Sequence, residues 1–190
     1  MIKSTAKRYL LATFAASFLL FSFAQPEISL DWIVDADDPR LEEAWKLHIH
    51  SFTQAYKEAY PGEKIDGGAF IEFKKELAEQ KGDFFFVIAE ENGKVIAYAS
   101  FKRELEDTIY GEQMAVTPIA WKQGIAQKLM DAIKEKIQKD LPKVKKAILI
   151  TRRKNIPAIK LYKKNDFIET SYVHEGYDPE KFIGLEKTLD

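Results

Sequence analysis

The stretch Val116-Thr-Pro-Ile-Ala-Trp-Lys-Gln-Gly-Ile-Ala-Gln-Lys-Leu129 decides the fold of this chain. A hydrophobic run, 113–116, ends two residues before Pro118, and a helical pattern begins at Gly124. A strand that turns through a short loop into a helix directs the first free N–H groups of the helix to one point. Those groups lie at the positive end of the helix dipole and bind anions. Gly124 has no Cβ to keep a phosphate away from the backbone, and Lys122 adds a positive charge at the rim. The stretch therefore predicts a pyrophosphate site; the other interpretation is an ordinary connection with a packing glycine.

A second segment of the same kind, 155–167, follows an apolar strand, 144–151. Asn155 is a good N-cap residue, and Pro157 is tolerated in the first turn of a helix. The three-and-four spacing of a helix then places one set of side chains on a single face: Asn155, Ala158, Leu161 and Tyr162.

Together the two segments resemble those of the GNAT superfamily of N-acetyltransferases. Val-x-Pro, Gly-Ile-Ala and then Leu129 are similar to its acetyl-CoA pyrophosphate loop, and the second segment, with Phe167, is similar to its second characteristic stretch. The chain departs from the usual residues at three positions. Trp121 stands where Arg or Gln is usual, Asp166 stands where Gly is usual, and Ala126 replaces the commoner Gly.

The resemblance implies an acetyl-CoA-dependent N-acyltransferase that moves an acetyl group to a primary amine of a small molecule or peptide. Acetyl-CoA would be the acyl donor. Its binding residues are carried over position by position: Ala115, Val116, Lys122, Gln123, Gly124, Ile125, Ala126, Gln127 and Asn155. The backbone at Ala115 and Val116 is implied to bond the pantetheine arm and to polarise the thioester carbonyl.

Two residues are candidates for the proton transfers of this reaction. An alkyl amine has a pKa of about 10.4 in water, so it must lose a proton before it attacks. By the resemblance Tyr162 lies near the sulfur and acts as general acid, because a phenol remains a proton donor at neutral pH. The alternative is a half-buried packing tyrosine. Period-two alternation predicts that Tyr110, Glu112 and Met114 share one strand face, and Glu112 is the candidate base. The alternative for Glu112 is a solvated charge at a strand edge.

The amine acceptor is expected between two loops, Tyr56–Gly68 and His174–Lys181. Both loops combine tyrosines with a surplus of carboxylates, which suits a cationic acceptor. The alternative is that both are polar surface loops.

The hydrophobic patterns predict the element order β-α-α-β-β-β-α-β-α-β-β from Ile28 to Leu189, which places the chain in the α+β class. This is also the order that the resemblance implies. The expected architecture is a GNAT-like α/β sandwich with a mixed central sheet of about seven strands and about four helices.

Composition excludes several other functions. The 190 residues carry a formal net charge of −1, so no basic excess indicates nucleic-acid binding. The absence of cysteine excludes disulfides, a thiol nucleophile and thiolate metal sites. The histidines share no metal-like spacing, so we expect no metal, and His48 fits a core or boundary position on a helix.

The N-terminus has the features of a signal peptide, 1–24, ahead of a GNAT-like domain, 25–190. Three basic residues precede an apolar run, 9–23, and Ser22-Phe-Ala24 fits signal-peptidase cleavage. The run is shorter than the roughly 20 residues that a spanning helix needs. We therefore expect an exported protein that meets a membrane only during transit, and an uncleaved anchor is the alternative.

Export conflicts with a substrate made in the cytosol. The protein would act inside a host cell after secretion, remain cytoplasmic through inefficient export, or have lost catalysis; a different start site is a fourth possibility. The alternative function is therefore an exported, non-catalytic GNAT-fold binding module.

Overall fold

The computed structural model describes residues 27–57, 70–80 and 82–189. The predicted signal peptide, 1–24, and the predicted acceptor loop Tyr56–Gly68 beyond Lys57 lie outside the described residues.

Seven strands of the described chain form one mixed sheet: β1 (Ile28–Ile33), β2 (Phe84–Glu91), β3 (Lys94–Leu105), β4 (Thr108–Val116), β5 (Lys146–Arg152), β6 (Ile168–Thr170) and β7 (Phe182–Thr188). The sheet order is β1-β2-β3-β4-β5-β7-β6, and only the β4–β5 pair is parallel. The described helices are α1 (Arg40–Tyr56), α2 (Phe70–Glu79), α3 (Ile125–Asp140) and α4 (Ile156–Lys164). The predicted α/β sandwich with a mixed sheet is confirmed.

The helices cover both faces of this sheet. On one face, Leu41 of α1 and Leu77 of α2 pack with Phe86 of β2 in a buried cluster. On the other face, Ile125 and Leu129 of α3 pack against β2 and β3, and α4 covers the adjoining β5 and β7. Burial of one such aliphatic side chain stabilises the fold by roughly 1.5–3 kcal/mol. These two apolar layers hold α3 and α4 against the sheet and so determine where the N-termini of both helices lie.

A bulge in β4 changes which of its side chains lie together. Ser100 pairs with Gln113 and Phe101 pairs with Gly111, so Glu112 is an extra residue in the pairing. Beyond the bulge the alternation is shifted by one residue, and Met114 packs in the cluster of α3. The prediction that Tyr110, Glu112 and Met114 share one face is therefore wrong for Met114, because strict alternation fails at a bulge.

Within the described ranges, no helix has the length and apolar character needed to cross a membrane.

Candidate functional site

The two parallel strands at the centre of the sheet separate towards their C-terminal ends. β4 and β5 pair from Thr108–Lys146 to Gly111–Leu149, yet β4 continues to Val116 and β5 continues to Arg152. Residues 113–116 pair with β3 alone. We call the gap between residues 112–116 and 150–152 the β4–β5 cleft. An extended ligand can add to such an open strand edge through main-chain hydrogen bonds.

Both helices that follow these strands begin on the same side of the sheet, beyond the C-terminal ends of β4 and β5. α3 follows β4 and α4 follows β5, and in open sheets of this kind ligands bind beyond the carboxyl ends of the strands. Gly124 is the N-cap of α3, with φ 79°, a left-handed conformation that favours glycine. The first helical bond runs from the N–H of Lys128 to the carbonyl of Gly124. The N–H groups of residues 125–127 therefore precede the helical ladder, which is the arrangement that binds anions at helix N-termini, and the anion site stays a prediction.

Three of the predicted cofactor side chains have partners within the protein. The Gln123 amide donates to the carbonyl of Ile119 at 3.0 Å. Gln127 and Asn165 exchange two amide hydrogen bonds, at 2.8 and 3.1 Å, which join α3 to the end of α4. Asn155 accepts from the N–H of Ala158 at 3.3 Å, so its predicted N-cap role is confirmed. An anion at this place would contact chiefly the backbone of residues 123–127.

The end of β4 is tied to two neighbouring elements. The carbonyl oxygen of Val116 accepts from the indole Nε1 of Trp121 at 2.7 Å and from the hydroxyl of Ser51 on α1 at 3.1 Å. A carbonyl oxygen has two lone pairs, so these donors fill its capacity. Residues 113–116 pair with β3 on one side, so only main-chain groups on their other side face the β4–β5 cleft.

The candidate acid, Tyr162, lies on α4 and is half-buried. Its ring packs against Phe167, with 5.9 Å between the ring centroids, at the margin of the cluster beneath α3 and α4. Its role in catalysis remains a prediction.

The candidate base, Glu112, is shielded from solvent. Its side chain is 15% exposed and accepts from the ammonium of Lys102 on β3 at 2.6 Å. Burial raises the pKa of the Glu112 carboxyl, and the charge and hydrogen bond of Lys102 act in the opposite direction. Lys102 also lies 3.9 Å from Glu76 of α2. Glu112 is thus a shielded carboxylate rather than a solvated charge at a strand edge.

Part of the predicted acceptor loop, His174–Lys181, lies against Tyr110, two residues before Glu112 on β4. Tyr110 is 8% exposed, and the side chain of Tyr177 lies beside it. Its ring centroid lies 6.1 Å from that of His174, which approaches Glu104 at 3.5 Å. Burial, reinforced by Tyr177, raises the pKa of Tyr110 well above its usual range. Glycine at position 184 lets the segment that leads into this loop pass close to β7, because a Cβ there would overlap the carbonyl oxygen of Tyr172.

Sequence reasoning missed a buried polar chain behind β4. The hydroxyl of Tyr98 bonds the Gln113 amide oxygen at 2.9 Å and also contacts Nδ1 of His48 on α1. His48 is 2% exposed, as a core position predicts, and burial lowers its pKa to about 4. The signal in the sequence was the alternation of β3, which directs Tyr98 to the face that α1 covers.

The family of the chain follows from a match to a model of the acetyltransferase (GNAT) family over residues 42–167. That span is more than half of the 190 residues, and the chain belongs to this family. The resemblance stated from the sequence is therefore confirmed. No relative was found among curated protein sequences.

Solved structures share the fold at low sequence identity. The PaiA N-acetyltransferase of Thermoplasma acidophilum, in complex with coenzyme A, is 17% identical, with a TM-score of 0.70 over 84% of this chain and 99% of that one. The ribosomal-protein-S18-alanine N-acetyltransferase of Escherichia coli is 19% identical, with a TM-score of 0.64 over 86% and 94%. A chain of the NatC complex bound to Gag peptide and CoA is 20% identical, with a TM-score of 0.63 over 86% and 99%. At such identities the likeness shows the fold.

Proposed function

We propose that the protein is an N-acetyltransferase that moves the acetyl group of acetyl-CoA to a primary amine of a small molecule or peptide. One observation carries the proposal: the β4–β5 cleft opens at the C-terminal ends of these two strands, where α3 begins. This arrangement offers an open strand edge and a cluster of helix N–H groups side by side. Acetyl-CoA has the matching parts, because its pantetheine arm carries amides and its pyrophosphate carries negative charge.

The proposed binding mode uses the backbone more than the side chains. The pyrophosphate lies at the N–H groups of residues 124–127, and Lys122 adds charge at the rim. The pantetheine arm runs along the open edge of β4 at Ala115, with the thioester directed towards the bulge at Glu112. A coenzyme A complex of the PaiA enzyme, which shares the fold, supports this choice of donor.

The proposed chemistry is direct transfer between two bound substrates. Glu112 accepts a proton from the ammonium of the acceptor, directly or through water, and the neutral amine attacks the thioester carbonyl. A new C–N bond forms, the C–S bond breaks, and Tyr162 gives its phenolic proton to the departing thiolate. The attacking nitrogen loses its second proton as the amide forms, and this proton returns through water to the Tyr162 phenolate. The raised pKa of the partly buried Glu112 supports its role, since it brings a carboxylate closer to the basicity that a general base needs near neutral pH.

The acceptor is proposed to be cationic before it reacts. Tyr110, Tyr177 and His174 lie beside the carboxylates Glu104 and Glu112, and rings with negative charge attract an alkylammonium ion. The same surroundings would disfavour an acidic acceptor.

Ligand binding by the purified protein tests the proposal first. A ligand present at a hundred times its Kd stabilises its protein by about 2.7 kcal/mol, which a thermal-shift measurement detects. We expect acetyl-CoA to raise the Tm, and acetyl-pantetheine, which lacks the pyrophosphate, to raise it much less at the same concentration. Thiol release with a panel of diamines, monoamines and N-terminal peptides then tests turnover.

The outcomes separate the two functions considered from the sequence. No stabilisation by acetyl-CoA would refute the proposed function. Stabilisation without thiol release for any amine would instead favour a non-catalytic binding module with this fold.

A further inference from the structure

The loop that joins β4 to α3 is fastened by two of its own side chains. Trp121 donates its indole N–H back to the carbonyl of Val116 at 2.7 Å, and the Gln123 amide donates to the carbonyl of Ile119 at 3.0 Å. These bonds start from the residues on either side of Lys122. They connect the loop to the last residue of β4 and to its own short 3₁₀ turn, Pro118–Ala120.

Lys122 needs such support because its backbone is left-handed, with φ 63°. This conformation is unfavourable for a residue with a Cβ and persists where the surrounding structure imposes it. The bonds of Trp121 and Gln123 restrain the peptide units on both sides of Lys122. They therefore determine the path by which the chain enters Gly124 and α3.

We propose that Trp121 and Gln123 are positioning residues that hold this loop in its ligand-binding shape before acetyl-CoA arrives. The inference rests on the proposed function, because it assigns the pyrophosphate to the backbone that follows Gln123. Ordering a mobile loop on binding costs free energy, and a loop that is already ordered avoids this cost. Trp121 thereby strengthens the binding of acetyl-CoA without contacting it. It stands at the position where the family usually has Arg or Gln.

Ser51 provides a matched control for Trp121. Its hydroxyl donates to the same carbonyl oxygen of Val116 at 3.1 Å, but it belongs to α1 and not to the loop. Ser51→Ala and Trp121→Phe therefore each remove one bond to one atom, and only the second loosens the loop.

The experiment measures coenzyme A binding by calorimetry and steady-state kinetics for four proteins: wild type, Trp121→Phe, Gln123→Ala and Ser51→Ala. Loss of one hydrogen bond that orders the loop is expected to weaken coenzyme A binding about five-fold in Trp121→Phe. The KM for acetyl-CoA rises by the same factor, while kcat and the KM for the amine stay at wild-type values. Gln123→Ala changes in the same direction, and Ser51→Ala binds like wild type.

Three results would overturn the inference. One is unchanged coenzyme A affinity in a folded Trp121→Phe variant. Another is tighter binding by that variant, which would mean that the indole competes with the ligand for Val116. The third is an equal loss in Ser51→Ala, which would assign the effect to the end of β4. If Trp121→Phe does not fold, Gln123→Ala decides, since its side chain is exposed and unchanged affinity there refutes the role. A wild-type protein that binds no coenzyme A would refute the proposed function instead.

Discussion

A negative charge placed at Gly124 should abolish coenzyme A binding if the N-terminus of α3 holds the pyrophosphate. We compare Gly124→Glu with Gly124→Gln, which adds a side chain of nearly the same size without the charge. A Cβ at this position meets nothing within 4 Å, so neither variant creates a steric overlap in the free protein. Both must adopt the left-handed backbone at φ 79°, which costs roughly 1–2 kcal/mol in each. The difference between the two variants therefore isolates the charge.

The expected size of this difference follows from Coulomb's law. Two unit charges about 4 Å apart near a protein surface, at an effective dielectric constant of about 20, interact by about 4 kcal/mol. Repulsion of that size weakens binding about a thousand-fold. Gly124→Gln should lose much less affinity, because its amide can still accept or donate hydrogen bonds near the phosphate.

Calorimetry of coenzyme A binding measures the difference directly, after circular dichroism and a melting curve have shown that both variants fold. Raising the salt concentration should bring the two affinities closer, because the repulsion is partly exposed to solvent and is screened. Equal Kd values for the Glu and Gln variants at low salt would refute the assignment of the pyrophosphate to this helix end.

Three further predictions address the acid, the base and the N-terminus. Tyr162→Phe should lower kcat by roughly 10²–10⁴-fold while keeping coenzyme A affinity, and wild-type turnover would leave Tyr162 a packing residue. Lys102→Met removes the cation that lowers the pKa of Glu112, so that pKa rises further and the acid limb of kcat/KM moves to higher pH. Lys102→Arg should return the acid limb of kcat/KM to its wild-type pH. An acid limb that stays at its wild-type pH in Lys102→Met would exclude Glu112 as the base. Export predicts that mass spectrometry of the protein from its native host finds a mature N-terminus at Gln25. An intact Met1 terminus in the cytosolic fraction would contradict export.

Much of the fold could be predicted because it depends on short-range patterns. Apolar residues spaced by two, or by three and four, gave the order of strands and helices and the place where α3 begins. Asn155 was predicted as an N-cap for the same reason, since its partner, the N–H of Ala158, is three residues away.

The parts that could not be predicted depend on how separate segments of the chain are aligned with one another. The bulge at Glu112 exists because β3 pairs with residues on both sides of it, and the sequence of β4 alone does not show that alignment. The same alignment brings Lys102 to Glu112. The bonds between Gln127 and Asn165 join residues 38 positions apart, so spacing along the chain could not show that the Gln127 side chain has a protein partner.

In the proposed phosphate site the recognising groups belong to the backbone, so the side chains can differ from the usual ones of the family without loss of the predicted chemistry. In the proposed site the donors that face the anion are N–H groups of the first turn of α3, and every residue except proline supplies one. What the site requires of side chains is indirect: no Cβ at Gly124, and a loop that enters the helix at the right angle. Trp121 meets the second requirement by bonding Val116, so a position that could hold a basic side chain holds a structural one instead. In this proposal the backbone recognises the phosphate, and the side chains around it hold that backbone in place.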